Sequence, residues 1–199
     1  MIPLLRLDRR GASAAEFAMV LPLLILFILG MIDAARLMWE TNRVEKATQM
    51  GARMAVVTQP VSTGLATHDY LGGGLTQGDI IPRSALGVIT CGRNSCTCTG
   101  SCPNNATVSD ATAFDLIFAR MQLMKPDISA DEVTVSYRGS GLGYAGDPHG
   151  MDISPLVTVE LSDVEFRPIT LLFAGGLEFD LPAFRTTLTA EDSSGSQSN

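Results

Sequence analysis

The sequence predicts an α+β protein: a long N-terminal helix, transmembrane in its first half and amphipathic in its second, then a small antiparallel-sheet domain with one further helix and a disulfide-rich loop. Three observations predict it. Sixteen residues without a charge, Phe17 to Ile32, lie between Glu16 and Asp33, behind a short basic leader that carries Arg6, Arg9 and Arg10. Leu37, Val44, Ala47, Gly51 and Met54 then recur at helical steps. Beyond Pro60, short runs that alternate apolar and polar residues stand between stretches rich in Gly, Ser and Thr, and four cysteines fall close together.

The basic leader before an apolar run is the charge asymmetry of a segment whose N-terminus stays inside. The length of the run alone is ambiguous, since a bilayer crossing takes about 20 apolar residues and a secretory signal core about 7–15. The flanks decide between them. After Ile32 come Asp33, Ala34, Ala35 and Arg36, a poor signal peptidase site. Before the run stands a step of small residues, Gly11 to Ala15, followed by Glu16. A cut between Gly11 and Ala12 would make Glu16 the fifth residue of the new chain, the pattern of a prepilin that loses its leader on the cytoplasmic side and keeps its apolar helix.

The run Gly11, Ala12 to Ala15, Glu16-Phe17-Ala18, Pro22, Gly30 to Arg36 and Gly51-Ala52-Arg53-Met54-Ala55 resembles the TadE-like family, pseudopilins of the tight-adherence (Flp) pilus systems. The resemblance covers about the first 57 residues, and the sister TadF-like proteins share its N-terminal pattern. It implies a minor pseudopilin of the bacterial inner membrane, single-pass with its C-terminal domain in the periplasm. Its implied partners are other pilin and pseudopilin subunits, among them a second TadE/TadF-like protein, together with prepilin peptidase and the membrane assembly platform. The implied roles are to initiate or cap a pilus used in adhesion. The expected division is a leader over 1–11, a transmembrane helix over 12–33, an amphipathic extension over 34–58, an extracytoplasmic domain over 59–192 and a disordered tail over 193–199.

Charge agrees with a split between anchor and domain. Up to Val57 there are seven Lys/Arg against five Asp/Glu, and beyond it seven against sixteen. An acidic outer part excludes the basic surface that nucleic-acid binding needs. Pro22 removes a backbone N–H and predicts a kink in the apolar helix. Gln59-Pro60 ends the amphipathic extension, because the residue before a proline is pushed out of helical geometry. That extension reads either as a stalk packed through small residues such as Ala47 and Gly51, or as a core helix of the domain.

Glu16 is the candidate assembly residue. A carboxylate drawn to the bilayer centre costs up to roughly 2.5–3.5 kcal/mol, and less near the interface. Cleavage would create a complementary cation in the α-amine of Ala12, four residues away, or in the amine of a neighbouring subunit inside a filament. The alternative is a solvated boundary charge among the head groups.

Farther on, Val61 to Pro82 reads as loop with at most one short strand, with His68 and Asp69 as solvated polar surface. Ile80 to Thr90 supplies a strand. Cys91, Cys96, Cys98 and Cys102 are too tightly spaced for the usual zinc pairs, and outside the cytoplasm they read as two disulfides with three connectivities open. Ser109 or Asp110 caps a helix to about Met124, whose stripe of Phe114, Ile117, Phe118, Met121 and Met124 is core. Val133, Val135 and Tyr137 lie on one face of a strand. Gly139 to Gly150 forms a long turn, and Leu156 to Leu161 is the clearest strand of all. Pro168 to Gly175 makes a short helical turn, and Leu177–Leu181 and Phe184–Leu188 make closing strands. No catalytic motif, metal site or cofactor site is expected. The competing reading is a signal-anchored periplasmic enzyme or binding protein whose cysteine-rich loop frames a site.

Overall fold

The computed structural model describes residues 9–72, 74–147, 150–172 and 178–190, with side chains from residue 14 onward except at 172. Two compact units emerge. One joins Met1–Glu40 with Glu165–Phe179, and the other joins Thr41–Val164 with Asp180–Asn199. The expected tail and most of the expected leader lie outside the described residues, as do 173–177 of the expected turn and strand.

Helix α1, Arg9–Val57, is a single helix of 49 residues that continues through Gly11, Ala12 and Pro22. It stops where the sequence says it should. The Thr58 hydroxyl and backbone N–H both donate to the Met54 carbonyl, at 2.9 and 3.1 Å, and Gln59-Pro60 follows.

In the first unit, the α1 residues from Ala14 to Ile32 are exposed except Leu29, which is half-buried. Two short strands, β5 at Glu165–Phe166 and β6 at Phe179–Asp180, pair with each other, and the single turn α4, Ile169–Leu172, lies between them in the chain.

The second unit is built on a five-stranded antiparallel sheet in the order β2-β1-β3-β4-β7. Its strands are β1 Val88–Cys91, β2 Cys96–Thr99, β3 Val133–Arg138, β4 Leu156–Leu161 and β7 Phe184–Thr189. The register fixes two unlike faces. Cys91, Val135 and Val159 share one cross-strand row and Ile89, Tyr137 and Val157 another, all buried. The intervening row runs Thr97, Thr90, Ser136, Thr158 and Thr187, a line of hydroxyls across all five strands.

The apolar face is covered by the last turns of α1 and by α3, Ala111–Gln122. Val44, Ala47, Ala52, Met54 and Ala55 of α1 are buried, as are Phe114, Ile117 and Met121 of α3. Gly51 is where the three elements come closest. A methyl group there would sit 2.7 Å from Met121 Cγ and 3.2 Å from Val159 Cγ1, so only a residue without a Cβ lets α1 approach both. Of the two readings for this part of α1, packing on its own domain is what the fold shows. Asp110 caps α3, its carboxylate accepting from the N–H groups of Thr112 at 2.8 Å and Ala113 at 3.2 Å. The Tyr137 hydroxyl accepts from Val61 N–H at 2.9 Å, which ties the segment after α1 to the sheet.

Three sequence expectations are corrected. Val61 to Pro82, expected as loop, holds the short helix α2, Thr63–Thr67. Of the expected Ile80–Thr90 strand only the last three residues join the sheet, as the start of β1, Val88–Cys91. Pro82 is followed by a 3-10 turn over Arg83–Ala85, and Ile80 makes an isolated bridge to Tyr144 instead. The cysteine segment is no plain loop, since Cys96–Thr99 forms β2 at the sheet edge.

Candidate assembly site

The candidate site is the apolar half of α1 with the polar residues at its two ends. Among the described residues it is the one helix long and apolar enough to cross a membrane. Leu23, Leu24, Ile25, Leu26, Phe27 and Ile28 are all exposed, so the described residues provide no cover for them. Glu16 is exposed at the mouth of this run and Asp33 is buried at its end. At 1.5 Å per residue they stand about 25 Å apart along the axis, close to the thickness of a hydrocarbon core.

Asp33 has a role that sequence reasoning missed. Its carboxylate accepts from the backbone N–H groups of Ile169 and Thr170, each at 2.8 Å, and from the Thr170 hydroxyl at 2.7 Å. Arg36, one turn on, donates to the same carboxylate at 3.3 Å and to the Arg167 carbonyl at 3.2 Å, and its guanidinium lies 5.6 Å from the centre of the Phe166 ring. The first turn of a helix leaves N–H groups without partners, and Arg167-Pro168 offers no side chain to take them. Asp33 supplies that cap from 136 residues away. A helical turn with no local cap, together with an acid closing an apolar run, was the signal available.

The four cysteines form two disulfides, Cys91–Cys96 and Cys98–Cys102. The first joins residues directly opposite each other on β1 and β2. The second ties the end of β2 to the following turn. Arg93, in the β1–β2 turn, grips Asp115 of α3 through two hydrogen bonds of 2.7 and 2.8 Å. That pairing holds the Asp115 carboxyl below its usual value and raises the Arg93 guanidinium. Ser109 donates to the Gly92 carbonyl at 2.8 Å, so the hairpin is fastened to the start of α3.

The glycine-rich loops close around Asp152. Its buried carboxylate accepts from the N–H groups of Tyr70, Gly146 and Asp147, each at 2.9 Å. Burial, reinforced by the Asp152 charge, pushes the neighbouring Tyr70 phenol up to about 12. His68 stands edge-on to the Tyr70 ring at 4.5 Å, and Asp69 accepts from Leu71 N–H. Among the described residues no group of three or more His, Cys, Asp or Glu is placed to hold a metal ion. The open pocket beside Tyr144 borders Asp152, whose oxygens are already engaged by backbone N–H groups, so it brings no reactive group together.

No curated protein and no solved structure matches the chain. Residues 11–53, nearly all of α1, match the family model described as TadE-like protein, so it is this helix that is similar to that family.

Proposed function

We propose that the chain is a minor pseudopilin of a tight-adherence pilus. It would be held in the inner membrane by the first half of α1, with its disulfide-bonded part in the periplasm. From there it would assemble with other pilin-like subunits to initiate or cap the filament for surface adhesion. The observation that carries this reading is the helix matched to the family: from Phe17 to Ile32 it carries no charge, and among the described residues nothing covers it apart from a partial cover at Leu29. Such a surface needs lipid or the same helix of neighbouring subunits.

The ends of the run fit that passage. Prepilin peptidase would cut between Gly11 and Ala12, where residues without bulk reach its active site. The new α-amine at Ala12 and the Glu16 carboxylate are then opposite charges one turn apart, available to each other or to a neighbouring subunit. Pro22 leaves one carbonyl without its helical partner, a point at which the helix can loosen as it moves from lipid to filament.

Intact mass of the membrane-extracted protein tests the processing step. A chain shortened by its first eleven residues is expected, and Gly11→Leu should restore full length. Full-length wild-type protein in cells with an active prepilin peptidase would favour an anchored periplasmic enzyme or binding protein instead.

A further inference from the structure

Helix α3 is apolar on two faces, and the core of its own unit uses one of them. Ala113, Phe114, Ile117 and Met121 are buried there. On the opposite face Thr112, Leu116, Ala119 and Leu123 follow one another at steps of four, three and four, within about 60° of arc at 3.6 residues per turn. All four are exposed, Leu116 at 41% and Leu123 at 64%. Leu123 keeps right-handed helical geometry at the C-cap, so it continues the stripe. We propose that this stripe is the seam for a second copy of the chain, with α3 pairing in parallel with α3. The inference adds a partner to the pseudopilin reading and rests on that reading for the direction of the pair.

Alternating steps of four and three are the spacing of the two seam positions of a coiled coil, with Leu116 and Leu123 at one and Thr112 and Ala119 at the other. The charges beside the stripe fit such a partner. Asp115 and Arg120 are the only charged residues of α3, and they flank the stripe on opposite sides, five residues apart. In a parallel pair that separation brings the flank of one helix to the opposite flank of the other, so Asp115 of each copy faces Arg120 of its partner, twice about the two-fold axis. An antiparallel pair would set each flank against itself, acid beside acid and base beside base. Arg93 already donates to both oxygens of Asp115, yet a carboxylate has about four lone-pair sites, so each oxygen can accept again.

The direction has a second support. Arg43 of α1 donates to the Met124 carbonyl at 3.1 Å, and Asp110 N–H donates to the Val61 carbonyl, just past the end of α1, at 2.7 Å. From Thr41 onward α1 therefore runs antiparallel to α3. A parallel α3 pair carries both copies of this part of α1 in one direction, as two chains entering from the same membrane require, and an antiparallel pair would oppose them. Because α3 has only 12 residues, the seam is weak in dilute solution. Anchoring both copies in one bilayer raises their effective concentration and lets so short a seam hold.

Oxidative cross-linking of the full chain in vesicles at high lipid-to-protein ratio tests the seam. The native cysteines are all in disulfides, so mild oxidation joins a single added thiol to that of a second copy. Ala119→Cys and Leu123→Cys should each give covalent dimer roughly tenfold faster than Arg138→Cys, an exposed position on the other face of the sheet. Adding Leu116→Glu to Ala119→Cys should slow the linking on the order of tenfold, and adding Arg120→Glu should slow it less. Equal rates at the three positions, or an unchanged rate with Leu116→Glu, would overturn the seam. Thr112→Cys and Leu123→Cys, mixed, should link to each other more slowly than each links to itself, and the reverse order would overturn the parallel direction. In native membranes, a linked product whose mass is not twice that of the chain would give the seam to another subunit and overturn the second copy. Flotation with the vesicles separates these failures from failure of the anchor: a floating chain that does not link overturns the seam alone, and a chain that does not float takes down both.

Discussion

The two halves of α1 share one backbone conformation and face opposite surroundings. From Phe17 to Ile32 the helix is apolar on every side and exposed except at half-buried Leu29, whereas from Val44 to Ala55 it buries one stripe against a sheet and a second helix and exposes Glu45, Lys46 and Arg53. At about 1.5–3 kcal/mol for each large apolar side chain kept from burial, leaving the first half in water would cost on the order of 20–30 kcal/mol. That gain exceeds the roughly 5–15 kcal/mol stability of an ordinary domain, so lipid or another apolar surface is strongly favoured over water as the surroundings of this half. The second half needs no partner beyond its own chain. The difference teaches that helix periodicity describes who covers a helix: a stripe marks the chain's own core, and an unbroken apolar surface marks an outside partner.

The sharpest break of the comparison is at Glu16. If the first half is an assembly surface, removing its one charge should leave membrane insertion and leader cleavage intact, or improve insertion, and yet abolish pilus output. The same change at exposed Glu45 in the second half should leave output at the wild-type level. Glu16→Asp, which keeps the charge, should be milder than Glu16→Ala. Normal pilus numbers in Glu16→Ala would show that the carboxylate has no assembly role. Counting sheared surface filaments alongside co-purified pilin subunits gives the readout.

Two glycines in the same helix give the next test. Nothing lies within 4 Å of a side chain built at Gly30, whereas one at Gly51 meets Met121 and Val159. Gly51→Leu must push α1 off the sheet and should destabilise the second unit by about 1–3 kcal/mol or more, seen as a lower melting temperature in detergent. Gly30→Leu should change that melting by no more than about 0.5 kcal/mol. Equal effects would mean that the two halves are not packed differently.

Much of this was legible because local physics carried it. Leu156 to Leu161 alternates around Val157 and Val159, Asp110 caps the helix whose Phe114, Ile117 and Met121 are buried, and Gln59-Pro60 halts α1. The thiols were expected to pair from their placement outside the cytoplasm, but their partners depend on the β1–β2 register, which sets Cys91 opposite Cys96. Strand β2 was missed because glycines, serines and cysteines masked the alternation of Cys96-Thr97-Cys98-Thr99. The joining of Glu165–Phe179 with the first forty residues was invisible for a different reason. It depends on one carboxylate meeting two N–H groups across 136 positions, and the uncapped turn and the acid closing the apolar run, each visible by itself, carry nothing that pairs them.

The smallest expected effect is electrostatic and confined to the folded second unit, where Arg93 and Asp115 fasten the disulfide hairpin to α3. The hydrogen bonds from Arg93 outweigh a slight burial cost and, helped by its charge, hold the Asp115 carboxyl below the ordinary carboxylate value. A group whose folded pKa is depressed stabilises the fold fully above its unfolded value, about 3.9, and loses that contribution as pH falls through the folded value. Both side chains remain nearly half exposed, at 47% and 45%, so water and salt screen the pair and its share is modest. Melting of the second unit should therefore be flat near neutrality and fall below about pH 4. Asp127, where burial is outweighed by hydrogen bonds and the charges of Lys125 and Arg43, and Asp79, held low by hydrogen bonds from Thr76, add to the fall. Asp115→Asn should lower the neutral melting temperature slightly and flatten part of the acid decline, and added salt should shrink the difference. An acid decline of unchanged steepness in Asp115→Asn would show that this pair does not fasten the hairpin.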